Sequence, residues 1–239
     1  MKRALVTGGS GAIGSAVCRA LATQGHHVIV HANGNLARAE ALATELCTQG
    51  HSAEAVAFDV TDTAVCESTL AALVEAGPIQ ILVNNAGIHD DGVFAGMSHS
   101  QWSRVVDVSL NGFFNVTQPL MLPMIRTRWG RIINMSSVAA IAGNRGQVNY
   151  AAAKGALQSA TRALSLEVAS RGVTVNAVAP GIITSEMTEG VFDKETIERM
   201  VPVKRAGTAD EVAALVGFLA SDAAAYITGQ IVSINGGMI

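Results

Sequence analysis

The sequence is poor in charged and aromatic residues. Of its 239 residues, 15% are Asp, Glu, Lys or Arg and 4% are aromatic. The formal net charge of −3 provides no basic surface for a polyanion, which excludes a typical nucleic-acid-binding protein. The charged fraction is well below the roughly 25% usual in soluble domains. We therefore expect part of the surface to be buried in a homo-oligomer, a homotetramer or a dimer.

Cysteines are too few and too widely spaced for a disulfide framework or a thiolate metal site. Cys18, Cys47 and Cys66 form no Cys-x-x-Cys pair, a pattern typical of small core hydrophobes. The six histidines show no metal-ligand spacing either. We therefore expect no metal site.

Long uninterrupted apolar stretches are also missing. The longest segment without a charge, residues 108–125, contains Asn111, Asn115 and two prolines, so it predicts an internal helix rather than a membrane span. The apolar stretch after Arg3 ends already at Thr7, which leaves no room for the core of a signal peptide. We expect a cytoplasmic protein without membrane association.

Short β-rich runs alternate with Ala-rich helical segments along the whole chain. The predicted strands comprise residues 4–7, 27–31, 54–58, 80–83, 131–135, 173–178 and 231–235, and the predicted helices begin near residues 12, 35, 62, 101, 150 and 208. This alternation predicts one α/β domain over residues 1–239, a Rossmann-type, doubly wound, seven-stranded parallel sheet. Ligands of such sheets bind beyond the carboxyl ends of the strands.

A glycine-rich turn separates the first predicted strand from the first predicted helix. It reads Thr7-Gly8-Gly9-Ser10-Gly11-Ala12-Ile13-Gly14. Glycines let a backbone approach a pyrophosphate closely, and the free N–H groups at the helix N-terminus stabilise its charge. The turn therefore predicts a dinucleotide site.

The end of the second predicted strand bears on the choice of coenzyme. Sites for NAD usually place a carboxylate there to bind the ribose 2′-hydroxyl. Here the strand ends in His31-Ala32-Asn33, and the first acidic residue of the chain is Glu40. A 2′-phosphate would meet no repulsion, so the sequence favours NADPH over NADH, although no Arg or Lys lies in the turn itself.

Two further motifs follow the fourth and fifth predicted strands. In Asn84-Asn85-Ala86-Gly87, the amides can brace neighbouring strand ends and the small residues leave room for a ribose, although a plain β-turn would look the same. Tyr150 and Lys154 share a helix face, and Ser137 lies thirteen residues before the tyrosine. A nearby ammonium lowers the pKa of a phenol, so we expect Tyr150 to act as an acid or base near neutral pH.

With these motifs the chain resembles the short-chain dehydrogenase/reductase family over essentially its full length. Within the family it is most similar to the 3-oxoacyl-[acyl-carrier-protein] reductases. The stretches that carry the resemblance are residues 81–87, 143–154, 174–181 and 235–238. Residues 123–125 and 143–150 are also similar to the paralogous reductases of polyene biosynthesis clusters.

The resemblance implies a role for each site residue. Tyr150 is the proton donor to a ketone oxygen, Ser137 hydrogen-bonds the same oxygen, and Lys154 holds the nicotinamide ribose and lowers the tyrosine pKa. The cofactor NADP(H) is bound by Gly8, Ser10, Gly11, Ile13, Gly14, Asn33, Asp59, Val60, Asn85, Ala86, Gly87, Tyr150, Lys154, Pro180, Gly181, Ile183 and Ser185.

The chain departs from the family pattern at two positions. Gly11 stands where the subgroup generally has a basic residue in the glycine-rich turn. Ser109 stands where the family has its fourth catalytic residue, an asparagine. Asn111 follows two residues later and is expected on a different face of the helix, so Ser109 is the positional match.

The resemblance also implies a partner, an acyl carrier protein bearing a β-ketoacyl chain. Arg128 and Arg171 match two arginines that the subgroup presents to the acidic carrier, and we expect them at the mouth of the site. Residues 186–207 carry apolar side chains among charges and are interpreted as a lid, or as a surface helix packed on its own domain.

The sequence therefore predicts NADPH-dependent reduction of a 3-oxoacyl thioester to the 3-hydroxyacyl thioester, in fatty-acid or polyene/polyketide synthesis. Two alternatives stay open. A dehydrogenase of the same family acting on a sugar, a steroid or a small alcohol would share every catalytic residue. The other alternative is a nucleotide-sensing protein without catalytic activity, and Ser109 is the only residue of the sequence that favours it.

Overall fold

The computed structural model describes residues 1–184 and 193–239. Its strands form one seven-stranded, fully parallel sheet in the order β3-β2-β1-β4-β5-β6-β7, which confirms the predicted fold class. The strands are β1 (Arg3–Val6), β2 (His27–Ala32), β3 (Ser52–Ala57), β4 (Ile79–Asn84), β5 (Gly130–Met135), β6 (Val173–Pro180) and β7 (Ile231–Ile234). Each overlaps a predicted strand, and the differences lie at the ends.

Helices cover both faces of the sheet. They are α1 (Ala12–Thr23), α2 (Leu36–Thr48), α3 (Thr63–Glu75), α4 (His99–Val106), α5 (Gly112–Arg126), α6 (Ala139–Ala142), α7 (Val148–Val168), α8 (Lys194–Met200) and α9 (Ala209–Ala220). Several start at side chains that cap the free N–H groups of the first turn. Asn35, Asp62 and Thr208 each accept a hydrogen bond from the backbone three residues later.

The sheet is buried on both faces, which explains why its central strands read as continuous apolar runs. Successive side chains of a strand point to opposite faces. Ala4 and Val6 belong to an apolar cluster with residues of α1 and α9, whereas Leu5, between them, packs with residues of α3 and α5.

The strand order reverses between β1 and β4. From β1 the chain proceeds outward to β2 and β3, and then returns to place β4 on the other side of β1. The connections that leave β1 and β4 therefore cover opposite faces, which opens a crevice at their carboxyl ends. The glycine-rich turn after β1 and the Asn84-Asn85 motif after β4 both lie at this crevice.

The uncharged segment 108–125 is helical, as predicted, but it begins with a π-helical turn. Residues Asp107–Asn111 form this turn between α4 and α5. Ser109 is buried, whereas Asn111 is exposed and donates a hydrogen bond of 2.7 Å to Asp107. No helix among residues 1–184 and 193–239 is both long and apolar enough to cross a membrane.

One cysteine differs from the expectation of core packing. Cys18 and Cys66 are buried, but Cys47 is exposed. It lies near the end of α2, beside the edge strand β3, where its thiol donates a weak hydrogen bond to the carbonyl oxygen of Ala53. Within the described parts of the chain, no cluster of His, Cys, Asp and Glu could hold a metal ion.

Candidate active site

The glycine-rich turn folds tightly over the start of α1. Gly8 has a φ of +62°, and a Cβ at Gly14 would collide with the carbonyl oxygen of Gly8. Helix α1 begins after Gly11, which offers no capping side chain, and its first turn has no acidic residue. The first N–H groups of α1 are therefore available to an anion beside Ser10 and Ile13.

Thr7, which the sequence analysis did not single out as a site residue, joins this turn to the end of β4. Its hydroxyl accepts hydrogen bonds from the N–H groups of Asn85 and Ala86 at 2.9 and 3.0 Å. The same hydroxyl donates to the carbonyl oxygen of Val83. The position and the hydroxyl were visible in the sequence, but its three partners are not adjacent to it in the chain.

The two amides after β4 brace neighbouring strand ends, as the motif indicates. Asn84 donates to Asn134 of β5 at 2.9 Å and to Thr117 of α5 at 3.0 Å. Asn85 turns the other way and donates to the carbonyl oxygens of Thr7 and Gly8. Gly87, two residues on, is exposed at the crevice.

The end of β2 presents one exposed side chain. Ala32 is only 3% exposed, whereas Asn33 is exposed, so Asn33 is the member of this pair that can face a ribose. Asn35 caps α2 by accepting from the N–H of Arg38, and the first turn of α2 has no acidic residue. The end of β2 therefore contains no group that would repel a phosphate.

Asp59 and Val60 follow β3 and behave differently. Asp59 is exposed, and its carboxylate accepts hydrogen bonds from the N–H and hydroxyl of Thr61. Val60 is 5% exposed and packs against Gly112, and its carbonyl oxygen accepts a hydrogen bond from the side chain of Asn115. Of the two, Asp59 is therefore accessible to an adenine and Val60 belongs to the core.

Ser137, Tyr150 and Lys154 come together at the carboxyl end of β5. The hydroxyl of Ser137 lies close enough to the phenol of Tyr150 to lower its pKa. The Nζ of Lys154 lies 5.7 Å from the centroid of the tyrosine ring and donates to the carbonyl oxygen of Met135 at 2.7 Å. Two hydroxyls and one buried cation therefore share one site.

The pKa of Tyr150 corrects the sequence-based expectation. Burial raises this pKa above its ordinary value, the nearby hydroxyl of Ser137 lowers it by less, and the carboxylate of Asp91 adds to the rise. Burial also lowers the pKa of Lys154 to about 8. Removal from water disfavours the charged form of each group, so the phenol is protonated at neutral pH.

Ser109 lies beside this group with an unused hydroxyl. Its side chain is 3% exposed, and its Oγ has no hydrogen-bond partner in the structure. A Cβ built on Gly87 would lie 3.1 Å from the Nζ of Lys154 and 3.7 Å from the Oγ of Ser109. Both groups therefore face the same small space behind Gly87, whereas Asn111 points to solvent.

The segment after β6 reaches the site from the other side. The carbonyl oxygen of Pro180 accepts from the N–H of Val138, and Gly181 packs against Asn235 so closely that a Cβ would lie 2.8 Å from its Cα. Ile183 is 7% exposed and forms a β-bridge with Gly207. Ser185 lies outside the described residues.

Residues 186–207 are described only from Asp193 onward. Asp193 caps helix α8 by accepting from the N–H of Thr196. Beyond the helix, Val201 is 2% exposed, and it contacts Gly236 together with Val203. The described end of the predicted lid is therefore packed on the domain.

Asn149 is a buried side chain whose importance the sequence did not indicate. It is 0% exposed and makes a hydrogen bond with every donor and acceptor of its amide. Its NH₂ group donates to the carbonyl oxygens of Asp90 and Gln101, and its Oδ1 accepts from the N–H of Tyr150 at 2.8 Å. Asn149 therefore fixes the start of α7 against α4 and the loop after β4.

The positions of Arg128 and Arg171 correct another expectation. Both are exposed, and their main chains meet, because a Cβ on Gly172 would collide with the carbonyl oxygen of Arg128. They precede β5 and β6, so they lie at the amino ends of these strands. Ser137 follows the carboxyl end of β5, and six residues of strand span roughly 20 Å. Within one chain, the two arginines are therefore not at the mouth of the site.

Similarity to known proteins extends over nearly the whole chain. A family profile described as enoyl-(acyl carrier protein) reductase matches residues 8–239. The chain belongs to the short-chain dehydrogenase/reductase family. The 3-oxoacyl-[acyl-carrier-protein] reductase of Aggregatibacter actinomycetemcomitans is 41% identical over 236 residues, which cover 98% of each chain. The acetoacetyl-CoA reductase of Rhizobium meliloti is 44% identical over 98% of this chain and 97% of its own length.

A solved structure extends the comparison. A protein from Agrobacterium tumefaciens, proposed to be a gluconate dehydrogenase, superimposes with a TM-score of 0.95 at 32% identity, covering 99% of this chain and 95% of its own. The family profile and the sequence relatives show that this short-chain dehydrogenase/reductase is an oxidoreductase of the 3-oxoacyl-[acyl-carrier-protein] reductase type. The family also implies a nicotinamide cofactor.

The site fits such a cofactor on its own features. The uncapped N-terminus of α1 provides N–H donors for a pyrophosphate. A side chain at Gly14 would collide with Gly8 and one at Gly181 with Asn235, so the local backbone packing at the site requires both glycines. The buried, unpartnered Oγ of Ser109 shows that polar atoms behind Gly87 are not satisfied by the protein alone.

Proposed function

We propose that this reductase uses NADPH to reduce a 3-oxoacyl thioester, carried by an acyl carrier protein, to the 3-hydroxyacyl thioester. The observation that carries the proposal is the proximity of the Ser137 hydroxyl and the Tyr150 phenol beside the buried cation of Lys154. The 3-oxoacyl-[acyl-carrier-protein] and acetoacetyl-CoA reductases among the relatives support a 3-oxoacyl thioester as the substrate class.

The side chains suit reduction of a ketone. When bound, a nicotinamide cofactor would supply hydride to the carbonyl carbon. As negative charge grows on the carbonyl oxygen, the hydroxyls of Ser137 and Tyr150 provide two fixed donors. Tyr150 holds its proton at neutral pH because burial raises its pKa, so it is ready to give that proton to the oxygen.

Lys154 stabilises the charge that this proton transfer leaves on Tyr150. Its Nζ is held by Met135 near the tyrosine ring, where a positive charge stabilises the phenolate that is left after proton transfer. The same ammonium is placed to hold the nicotinamide ribose. The main-chain carbonyl oxygen of Ser109, which is present whatever the side chain, is the proposed position for a water molecule that returns a proton to this lysine.

The preference for NADPH rests on the end of β2. Asn33 is the exposed side chain there and is neutral, and the first turn of α2 has no acidic residue. Helix α2 directs its N-terminus to the same region, which favours a phosphate. Because Gly11 provides no cation, this preference depends on the absence of a carboxylate.

For the carrier protein, Arg128 and Arg171 form an exposed basic pair. Because they lie at the amino ends of β5 and β6, a carrier docked on one chain would deliver its acyl group to another chain of the oligomer, or would reach around the subunit. A phosphopantetheine arm on an acidic carrier suits arginines at a distance from the chemistry. Their role as partner-binding residues therefore depends on the assembly.

We propose a homotetramer of single catalytic domains in the cytoplasm. Large apolar side chains are exposed on the helices after β4 and β5, where Phe114 is 60%, Leu122 65% and Leu166 84% exposed. Such faces are buried well by symmetric copies. Light scattering at micromolar concentration should give a mass of four chains, and a monomer would refute the proposal.

A second candidate substrate is a sugar acid, since the solved structure at 32% identity is proposed to be a gluconate dehydrogenase. The decisive experiment compares oxidation of NADPH with acetoacetyl thioesters against reduction of NADP⁺ with gluconate. Acetoacetyl-acyl carrier protein and acetoacetyl-CoA, tested side by side, separate the two carriers. Binding of NADPH without turnover of any ketone would instead favour a nucleotide sensor.

A further inference from the structure

The buried imidazole of His31 connects three segments of the cofactor site. His31 is 1% exposed, near the carboxyl end of β2. Its Nδ1 accepts a hydrogen bond from the main-chain N–H of Gly8 at 3.0 Å, and its Nε2 lies 2.8 Å from the carbonyl oxygen of Phe58. The His31 and Phe58 rings also pack together, with centroids 4.2 Å apart. One side chain thus joins the glycine-rich turn to the ends of β2 and β3.

These partners fix the protonation state of the ring. The N–H of Gly8 can only donate, so Nδ1 carries no proton, and the carbonyl oxygen of Phe58 can only accept, so Nε2 carries one. Burial acts in the same direction and lowers the pKa of His31 to about 4, against the smaller opposing effects of Phe58 and Asp59. The ring is therefore a neutral connector at physiological pH.

The glycine-rich turn is held from both sides. From β4, Asn85 donates to the carbonyl oxygen of Gly8 at 3.1 Å, and from β2, His31 accepts from the N–H of the same residue. Gly8 has a φ of +62° and can change conformation easily. Without the acceptor on His31, the N–H of Gly8 would lose its partner inside the protein, and the turn would lose its support from β2.

We propose that His31 is a positioning residue for the cofactor, whose Nδ1 holds Gly8 so that the glycine-rich turn keeps the shape that receives the pyrophosphate. The inference rests on the nicotinamide cofactor of the family and not on the acyl substrate. It assigns to His31 an effect on cofactor affinity that acts through Gly8, without direct contact with the cofactor.

The first test measures the dissociation constant of the cofactor by fluorescence, without any acyl substrate. The nucleotide is whichever of NADPH and NADH the unmutated protein binds more tightly. His31→Phe keeps a ring but loses both hydrogen bonds, and we expect its dissociation constant to rise at least about tenfold. His31→Asn places an oxygen near the position of Nδ1, so we expect it to stay within about threefold of the unmutated protein.

The matched control is His27→Phe. His27 lies on the same strand, but its nitrogens contact Ser52 and Glu54 at the other end of the sheet, so its replacement should leave cofactor affinity unchanged. If His31→Phe binds the cofactor as well as His27→Phe does, the proposal is overturned. Equal losses in His31→Phe and His31→Asn would also overturn it, because they would show that the acceptor at Nδ1 is not what matters.

A second test needs no variant and no activity. In ¹⁵N-histidine NMR spectra of the unmutated protein, His31 should show a protonated Nε2 and a bare Nδ1, unchanged between about pH 8 and pH 5.5. A proton on Nδ1 in this range would contradict the proposal. Since neither test uses a thioester, a chain that reduces no 3-oxoacyl thioester would refute the proposed substrate and leave the result on His31 standing.

Discussion

The ammonium of Lys154 donates a 2.7 Å hydrogen bond to the carbonyl oxygen of Met135, which ties the catalytic helix α7 to the last residue of β5. This bond fixes the position of Nζ near the ring of Tyr150, and Lys154 is only 3% exposed. A cation in this place is available for chemistry only while it keeps its proton. Burial lowers its pKa to about 8, so its charge is sensitive to pH.

The first prediction concerns stability against pH. The pKa of Lys154 falls from 10.5 to about 8 on folding, so between these values the unfolded chain binds the proton and the folded chain does not. Stability contributed by this site therefore rises with pH in that window. Lys154→Met should lack this rise, so the free energy of unfolding of the unmutated protein relative to the variant should increase by on the order of 1 kcal/mol per pH unit.

Urea denaturation at fixed protein concentration measures this difference. The control is Lys194→Met, at a lysine whose side chain is 91% exposed. Its free energy of unfolding should change with pH as that of the unmutated protein does. If the free energy of unfolding of Lys154→Met shows the same pH dependence as that of the unmutated protein, the pKa of Lys154 lies in the ordinary lysine range and the prediction is wrong.

The second prediction compares Ser109 with Tyr150. The Oγ of Ser109 has no hydrogen-bond partner among residues 1–184 and 193–239, so Ser109→Ala removes no hydrogen bond made by these residues and should lower kcat by less than about tenfold. Tyr150→Phe removes the proposed proton donor and should lower kcat by at least about 10²-fold. Both are measured with an acetoacetyl thioester at saturating NADPH. Equal losses in two folded variants would show that the hydroxyl of Ser109 is itself required.

The third prediction concerns Asn149. Asn149→Ala removes its hydrogen bonds to Asp90, Gln101 and Tyr150, so Tyr150 should lose its fixed position. Since misplacement by about 1 Å costs up to about 10²-fold in rate, we expect kcat to fall at least tenfold while the cofactor dissociation constant stays within about threefold. The pH dependence of kcat should shift as well, because the phenol will no longer be held beside Ser137.

The matched control is Asn115→Ala, which removes another buried amide that bonds a carbonyl oxygen, that of Val60. It should lower stability without the selective effect on kcat. A similar loss of kcat in both variants would assign Asn149 a purely structural role.

The fold could be predicted from the sequence because its signals are local. Helix starts at Asn35, Asp62 and Thr208 carry their capping side chains in the sequence. The buried strands are visible as apolar runs. The π-turn at Asp107–Asn111 gives no such signal, because its residues are compatible with an ordinary helix.

The site was predictable in its composition but not in its energetics. The spacing of Tyr150 and Lys154 placed them on one helix face, but it did not show how deeply the phenol is buried. That burial decides the direction of its pKa. Nothing in the sequence distinguished His31 from an ordinary strand residue, because its partners Gly8 and Phe58 are distant in sequence. The family resemblance pointed to Arg128 and Arg171, but only the structure shows that they lie at the amino ends of β5 and β6.

The fourth prediction tests the choice of coenzyme at the end of β2. Asn33 is exposed, whereas Ala32 is buried, so a carboxylate introduced at Asn33 avoids the cost of burying a charge at Ala32. Asn33→Asp should repel the 2′-phosphate and lower kcat/KM for NADPH relative to NADH by at least about tenfold. Asn33→Ala should keep the original order. An unmutated enzyme that prefers NADH would refute the inference from the missing acid.

The last prediction concerns the basic pair at the amino ends of β5 and β6. If Arg171 contacts an acidic carrier, Arg171→Glu should raise the KM for acetoacetyl-acyl carrier protein at least about tenfold, because a repulsive contact replaces an attractive one. The kcat/KM for acetoacetyl-CoA should change by less than about twofold, since the arginine lies far from Ser137. Arg162→Glu, at an exposed arginine of α7, is the control for net charge. Equal effects on both thioesters would place Arg171 in the assembly or the fold rather than in carrier binding.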